Sequence, residues 1–289
     1  MNTITVNNLK KYYGKTKAVD GVSFEVKEGE IMGFLGPNGA GKTTAIRCMM
    51  DFLRPDEGEI TILGEDAQRE SSRLKQDIGF LSGDVKLYNH WTGQEHLDLI
   101  ERMKGKTDYD LDLIAEFSFD PRKKVKELSS GNKQKLGLIL ALMHRPKLLI
   151  LDEPTAGLDP LLQNTFYNTI RSGAVEGRTV FMSSHNLAEV EKVCDRVCII
   201  KAGKLVAVES IRELKMKKIY TIYAYFQGDM PGNELQRDGV EITKKLTDGL
   251  VISVRGEIDP LLDELSKYKL TDIEITHASL EEVFMEHYK

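Results

Sequence analysis

Cysteine is scarce in this chain, three among 289 residues, and that excludes a secreted scaffold held by disulfides. Three thiols suit a reducing compartment. Only Cys194 and Cys198, four positions apart, form a pair worth weighing as metal ligands. No His or second Cys pair stands near them in sequence, Cys198 lies in the apolar run Val197 to Ile200, and small thiols are common in cores. His90, His96, His144, His277 and His287 show no ligand spacing either. Long apolar runs are missing too: stretches such as Leu136 to Met143 fall far below the roughly 18 residues of a membrane-spanning helix. Met1 to Lys17 is polar and lacks the apolar segment of a secretion signal, so the chain is expected to stay in the cytoplasm. Neither sign of charge dominates. With 40 basic and 45 acidic residues the net charge is −5, which gives no general attraction to nucleic acid or to an anionic membrane surface. Core material is ample: 41% of the residues are hydrophobic, and the length allows one large domain or two.

The strongest local signal is Gly36-Pro37-Asn38-Gly39-Ala40-Gly41-Lys42-Thr43, preceded by the apolar run Ile31 to Leu35. It fits the phosphate-binding pattern G-x-x-x-x-G-K-[ST] between a strand and a helix. The glycines let the backbone wrap so that successive N–H groups face phosphate oxygens. Lys42 adds a full positive charge, Thr43 offers a hydroxyl to Mg²⁺, and the following helix presents its positive end to the same anion. This is the pattern of a nucleotide site.

Around this loop the periodicities alternate between strand and helix. Strands are expected at 3–9 and 22–26, joined by turns near Tyr13-Gly14 and Asp20-Gly21, then at 59–63 and 78–81. Helical spacing takes over from about 85 to 145. Strands at 148–151, 179–182 and 196–200 then alternate with helices over 161–172 and 187–194, which implies an α/β core. From about 214 a smaller α+β unit is expected, with a strand at 219–226, a hairpin over 241–254, a short helix from Asp259, and a strand at 272–276. A last helix is opened by the capping box of Ser279 and Glu282.

A second chemical signal is Leu148-Leu149-Ile150-Leu151-Asp152-Glu153-Pro154. Four apolar residues ending in two acids describe a buried strand that delivers carboxylates at its carboxyl end, where ligands gather in open α/β sheets. Neighbouring strand residues face opposite ways, so the two acids should have different tasks. Asp152 is placed to hold Mg²⁺, directly or through water, and Glu153 to polarise the attacking water as general base.

Phosphate loop, Leu128-Ser129-Ser130-Gly131-Asn132, the acidic strand, Ala156-Gly157-Leu158-Asp159 and Ser184-His185 follow one another in the order of ATP-binding cassette (ABC) ATPases, which residues 1–210 resemble. The family signature is Leu-Ser-Gly-Gly-Gln, so Ser130 and Asn132 depart from it; Ser129, Gly131 and the helix start beyond them keep the hydroxyl, the open N–H and the positive end. The resemblance implies a P-loop NTPase (RecA-like) core with an N-terminal antiparallel β subdomain and an inserted helical subdomain. It also implies an ABC domain over 1–213 and a small C-terminal domain over 214–289. Residue by residue, Tyr13 matches the aromatic that stacks on adenine with Val19 beneath it. Thr44 continues the phosphate-loop contacts, Asp159 matches the acid that crosses the dimer interface, and His185 matches the residue that contacts the γ-phosphate. Where the family has a Gln or Glu reaching Mg²⁺, this chain reads Ser82-Gly83-Asp84, so Asp84 or water takes that place. The segment Lys86 to Trp91 resembles a groove for a permease helix, although Trp91 suits the core of the helical subdomain equally.

What the resemblance implies is the ATP-binding subunit of an ABC transporter, of exporter type. It would hydrolyse ATP with Mg²⁺ at the inner face of the cell membrane, beside a separate permease subunit and a second ABC subunit, identical or not. Nucleic acid is not an expected partner. The competing reading is a soluble, non-transport cassette protein acting on ribosomes or nucleic acid; such proteins usually carry two cassettes or a long coiled-coil insertion, and neither is present here.

Overall fold

The computed structural model describes residues 1–105, 109–216, 219–232 and 235–277. β1 (Asn2–Tyr13) and β2 (Thr16–Lys27) alternate buried and exposed side chains and pair antiparallel, because only one face of this ribbon covers a core. β4 (Glu57–Ile62) and β5 (Glu65–Asp66) complete a sheet in the order β2-β1-β4-β5. Both strands of the hairpin are longer than expected. Asp20-Gly21 is no turn: Leu9 pairs with Val22 and Lys10 with Asp20, so Gly21 is the extra residue of a bulge inside β2.

The second sheet has the order β10-β9-β3-β8-β7-β6, with β3 (Ile31–Leu35), β6 (Ile78–Leu81), β7 (Leu148–Asp152), β8 (Thr179–Ser184), β9 (Arg196–Lys201) and β10 (Lys204–Ser210). β3, β7 and β8 are buried at every position, as expected of strands covered on both faces. The pairs β3–β8, β3–β9, β8–β7 and β7–β6 are parallel. Their carboxyl ends therefore lie along one edge, which is where α1 (Lys42–Met49) begins. Sequence reading did not anticipate β10, which follows β9 after only Ala202 and Gly203. α2 (Ser71–Asp77) leads into β6, and the helices of the expected insertion are α3 (Gly93–Lys104), α4 (Tyr109–Glu116) and α5 (Ser130–Leu142); Thr92 and Glu95 form a capping box at the start of α3.

A second compact unit begins at Ser210, where the sequence suggested 214. Its sheet, in the order β12-β13-β11-β14, is antiparallel throughout, formed by β11 (Ile219–Phe226), β12 (Val240–Lys245), β13 (Gly249–Arg255) and β14 (Leu270–His277). With α9 (Asp259–Leu265) it closes its own core around Ile222, Phe226, Ile252, Leu261 and Leu265. The helix expected from Ser279 lies outside the described residues.

In the first unit the two sheets meet through three phenylalanines. Phe24 of β2 stacks on Phe181 of β8 with ring centroids 5.4 Å apart, and Phe34 of β3 completes the trio at 5.4 and 5.6 Å. All three are buried, so losing one ring leaves a cavity between the sheet that carries the phosphate loop and the sheet beside it. Phe181→Ala should lower unfolding stability by about 3–5 kcal/mol, read from denaturant titrations; a loss below about 1 kcal/mol would show that the sheets are held together elsewhere.

Candidate nucleotide site

The phosphate loop leaves the carboxyl end of β3 under tight steric control. A Cβ on Gly36 would stand 2.4 Å from the Ile200 carbonyl oxygen. One on Gly41, at φ +110°, would stand 2.2 Å from the Ala18 oxygen, so neither position accepts another residue without moving backbone. Gly41 is the N-cap of α1, which has no side-chain cap, so the first N–H groups of the helix are left for an anion. A cavity of about 440 Å³ opens over this end, lined by Lys17, Ala18, Asn38 to Thr44, Glu153 and Ala202 among others.

Lys42 is 6% exposed. Its Nζ donates to the Gly36 carbonyl at 2.7 Å and to that of Pro37 at 3.3 Å, and stands 3.2 Å from Glu153 Oε1. Beside it the two acids of the strand end occupy separate settings. Asp152 Oδ2 accepts from the Thr43 hydroxyl at 2.7 Å, and Asp152 Oδ1 accepts from the Ser183 hydroxyl at 2.5 Å. Glu153 lies just past β7 at φ +50°, a left-handed conformation that costs a non-glycine residue energy and turns it off the line of the strand. Its N–H donates to Ser183 Oγ at 3.0 Å, and its Oε2 meets His185 Nδ1 at 2.8 Å. Glu153 Oε1 is buried and, apart from the Lys42 ammonium at 3.2 Å, has no partner. Thr43 and Asp152 are hard oxygen donors of the kind Mg²⁺ takes when nucleotide phosphates and water supply the other positions.

Several residues singled out from the sequence stand apart from this cluster. Val19 is fully buried in the core and does not line the cavity; Ala18, one step along β2 and on its other side, does. Tyr13 is half-exposed at the end of β1. Asp159 caps α6 (Pro160–Val175) by accepting from Leu162 N at 3.0 Å. Ser129 caps α5, taking hydrogen bonds from Asn132 N and Nδ2 at 3.3 and 3.2 Å. Gly131 lies so close to the chain that a Cβ would come within 2.8 Å of the Gly157 oxygen. Ser129, Gly131 and Asp159 are absent from the lining of their own chain's phosphate cavity. Asp84 lines the neighbouring cleft with Thr43, Asp152 and Glu153, but its carboxylate, 75% exposed, pairs with Lys86 at 2.5 Å.

Sequence reading missed two supporting residues. Ser183 joins Asp152 to the Glu153 backbone, and Gln134 of α5 donates to the carbonyls of Glu153 and Pro154 at 3.4 and 2.8 Å. The hydroxyls just before His185 were the only sign of the first; nothing in the pattern of α5 marked the second.

A parallel sheet with a phosphate loop on β3 and paired carboxylates on β7 defines a P-loop nucleoside triphosphatase. A family profile described as ABC transporter matches residues 19–156, and one described as an AAA domain, putative AbiEii toxin, matches 124–191. An uncharacterized ABC transporter ATP-binding protein of Bacillus subtilis (strain 168) is 34% identical, over 97% of this chain and 93% of its own length. The chain belongs to the ABC transporter family as an ATP-binding subunit, and it is an ATPase. A bacitracin transport ATP-binding protein of Bacillus licheniformis is 39% identical over 78% of this chain and 74% of its own. A solved ATP-binding subunit of an ABC transporter superposes with a TM-score of 0.69 at 27% identity, covering 74% of this chain and 92% of that one.

The departure at Gly83 can be tested directly. A Cβ there would lie 3.3 Å from Asp152 Oδ2 and 3.4 Å from its Cγ, close enough for a longer side chain to reach the same cleft. Gly83→Gln should therefore raise the rate of ATP hydrolysis several-fold, measured as phosphate release. An unchanged rate would show that Asp84 or water already fills that place.

Proposed function

We propose that the chain is one of two cassettes that close head to tail over ATP and, on hydrolysis, release, so driving export through a separate membrane permease at the inner face of the membrane. One observation carries this reading: the phosphate cavity is built from the loop, α1 and Glu153, while Ser129, Gly131 and Asp159 lie outside it. Residues with exposed hydroxyl and N–H groups at a helix start, useless to their own site, suit the nucleotide of a facing copy. Relatives named for bacitracin transport, linearmycin resistance and Nod factor export support the exporter direction.

In this reading the β- and γ-phosphates lie on the loop N–H groups and Lys42, with Tyr13 against the base. Thr43 and Asp152 hold Mg²⁺, which supplies charge neutralisation to the phosphate oxygens. Phosphate draws the Lys42 ammonium away from Glu153, leaving Oε1 to accept a proton from the attacking water while His185 holds Oε2. ATP held between two copies attracts both surfaces, and its cleavage removes that attraction, which makes a two-state clamp. The permease contact falls on the segment around Trp91, where Tyr88 is 61% exposed and its ring lies 4.6 Å from that of the half-buried Trp91.

Glu153→Gln should keep ATP binding, lower turnover by about a hundredfold or more, and accumulate an ATP-bound dimer, measured by light scattering with and without ATP. Hydrolysis near the wild-type rate would remove Glu153 as the base. Purification from membranes should bring down a multispan membrane protein with the chain; tight recovery on ribosomes or DNA instead would overturn the transport reading for this chain.

A further inference from the structure

Glu189 is a buried acid for which the hydrolytic mechanism has no use. It lies in the first turn of α7 (Leu187–Val193) and is 5% exposed. Ser184, fully buried at the end of β8, donates its hydroxyl to Glu189 Oε2 at 2.6 Å and accepts from Asn186 N at 2.9 Å. Asn186 in turn caps α7, accepting from Ala188 N at 3.0 Å. His185 is thus the one residue between two that are fixed from behind, and its own side chain, 58% exposed, points the other way to Glu153. Burial pushes the Glu189 carboxyl above the usual carboxylate range, against the hydrogen bond from Ser184; Glu153 raises it further and His185 lowers it. The carboxyl therefore holds the segment that leads into His185 through Oε2, while its Oε1 is buried without a hydrogen-bond partner. An apolar side chain would fill this place without the cost of burying an acid.

We infer that Glu189 is a positioning residue for hydrolysis: through Ser184 it fixes the end of β8 that leads into His185 and so holds the His185 imidazole on the Glu153 carboxylate. The inference rests on the proposed roles of Glu153 and His185. It assigns Glu189 the work of a hydrogen-bond acceptor rather than of a charge, since Ser184 needs only an oxygen to donate to. A neutral amide of the same length meets that need and an apolar side chain does not.

The test compares ATP hydrolysis by full-length Glu189→Gln, Glu189→Leu, Ser184→Ala and His185→Ala proteins, with melting temperatures as the control for folding. Glu189→Gln should stay within about threefold of the wild-type kcat. Glu189→Leu should lose about ten- to a hundredfold in kcat, with KM for ATP within about twofold because the phosphate loop is untouched. Ser184→Ala should show the same split, and the double variant should be no worse than either single one, because both act through one bond. Should the leucine protein melt far below the others, Ser184→Ala carries the test. A full rate for Glu189→Leu beside a slow His185→Ala would overturn the positioning role alone. Full rates for both would overturn the His185 reading beneath it. Equal losses for the glutamine and leucine proteins, or losses that add with Ser184→Ala, would also contradict the inference.

Discussion

A site for a triphosphate must gather positive charge and N–H groups, yet hydrolysis needs carboxylates at the same place. Two acids beside an anion would repel it unless each is held by a partner of its own. The carboxyl ends of β3, β7 and β8 meet that constraint in a small volume. Asp152 is held between the hydroxyls of Thr43 and Ser183; Glu153 is held between the Lys42 ammonium and the His185 ring. The parallel register that puts Leu35 beside Ser184 and Asp152 beside Ser183 brings these four pairs together. Most other features of the first unit support that edge, from the phenylalanine trio under the sheet to Gln134, which ties α5 to the backbone of Glu153.

The phosphate loop and the acidic strand were legible because their chemistry is local: glycine spacing and an apolar run ending in acids are visible in eight and seven consecutive residues. The β–α alternation was legible for the same reason, since β3 and the first four residues of β7 are continuous apolar runs and β8 has Val180 to Met182 at its centre. What the chain did not reveal is non-local. Gly21 reads as a turn residue until its pairing with β1 shows it to be a bulge. Val19 reads as a candidate beneath adenine until the alternation of β2 puts it in the core and Ala18 at the cavity. β10 carries the apolar run Leu205 to Val208 between Lys204 and Glu209, but it follows β9 after only Ala202 and Gly203, so the two strands read as one stretch until the sheet separates them. The left-handed turn at Glu153 has no sequence signal, because only neighbouring structure makes a glutamate adopt it.

The same contrast separates the two halves of the site. In the proposed reading, what a chain does to the phosphates from its own side falls to residues on or next to β3, α1, β7 and β8, and the sequence names those residues. The signature residues cap α5 and pack toward Gly157, where they stabilise the fold whether or not a nucleotide is near. A helix cap and a phosphate contact use the same hydroxyl and the same N–H groups, so residue chemistry alone does not decide between them; position does. Ser129 and Gly131 lie outside the cavity that holds Lys42, and that separation is why the site is read as shared between two copies.

The most direct measurement mixes two inactive proteins. Lys42→Ala removes the phosphate cradle, and Ser129→Arg blocks the signature, so each alone should hydrolyse ATP at background rate. In a random one-to-one mixture half the dimers pair the two variants, and each such dimer holds one site with both defects and one intact site. The mixture should recover about a quarter of the wild-type rate. A mixture no faster than its separate components, or a Ser129→Arg protein that hydrolyses ATP normally by itself, would contradict the shared site.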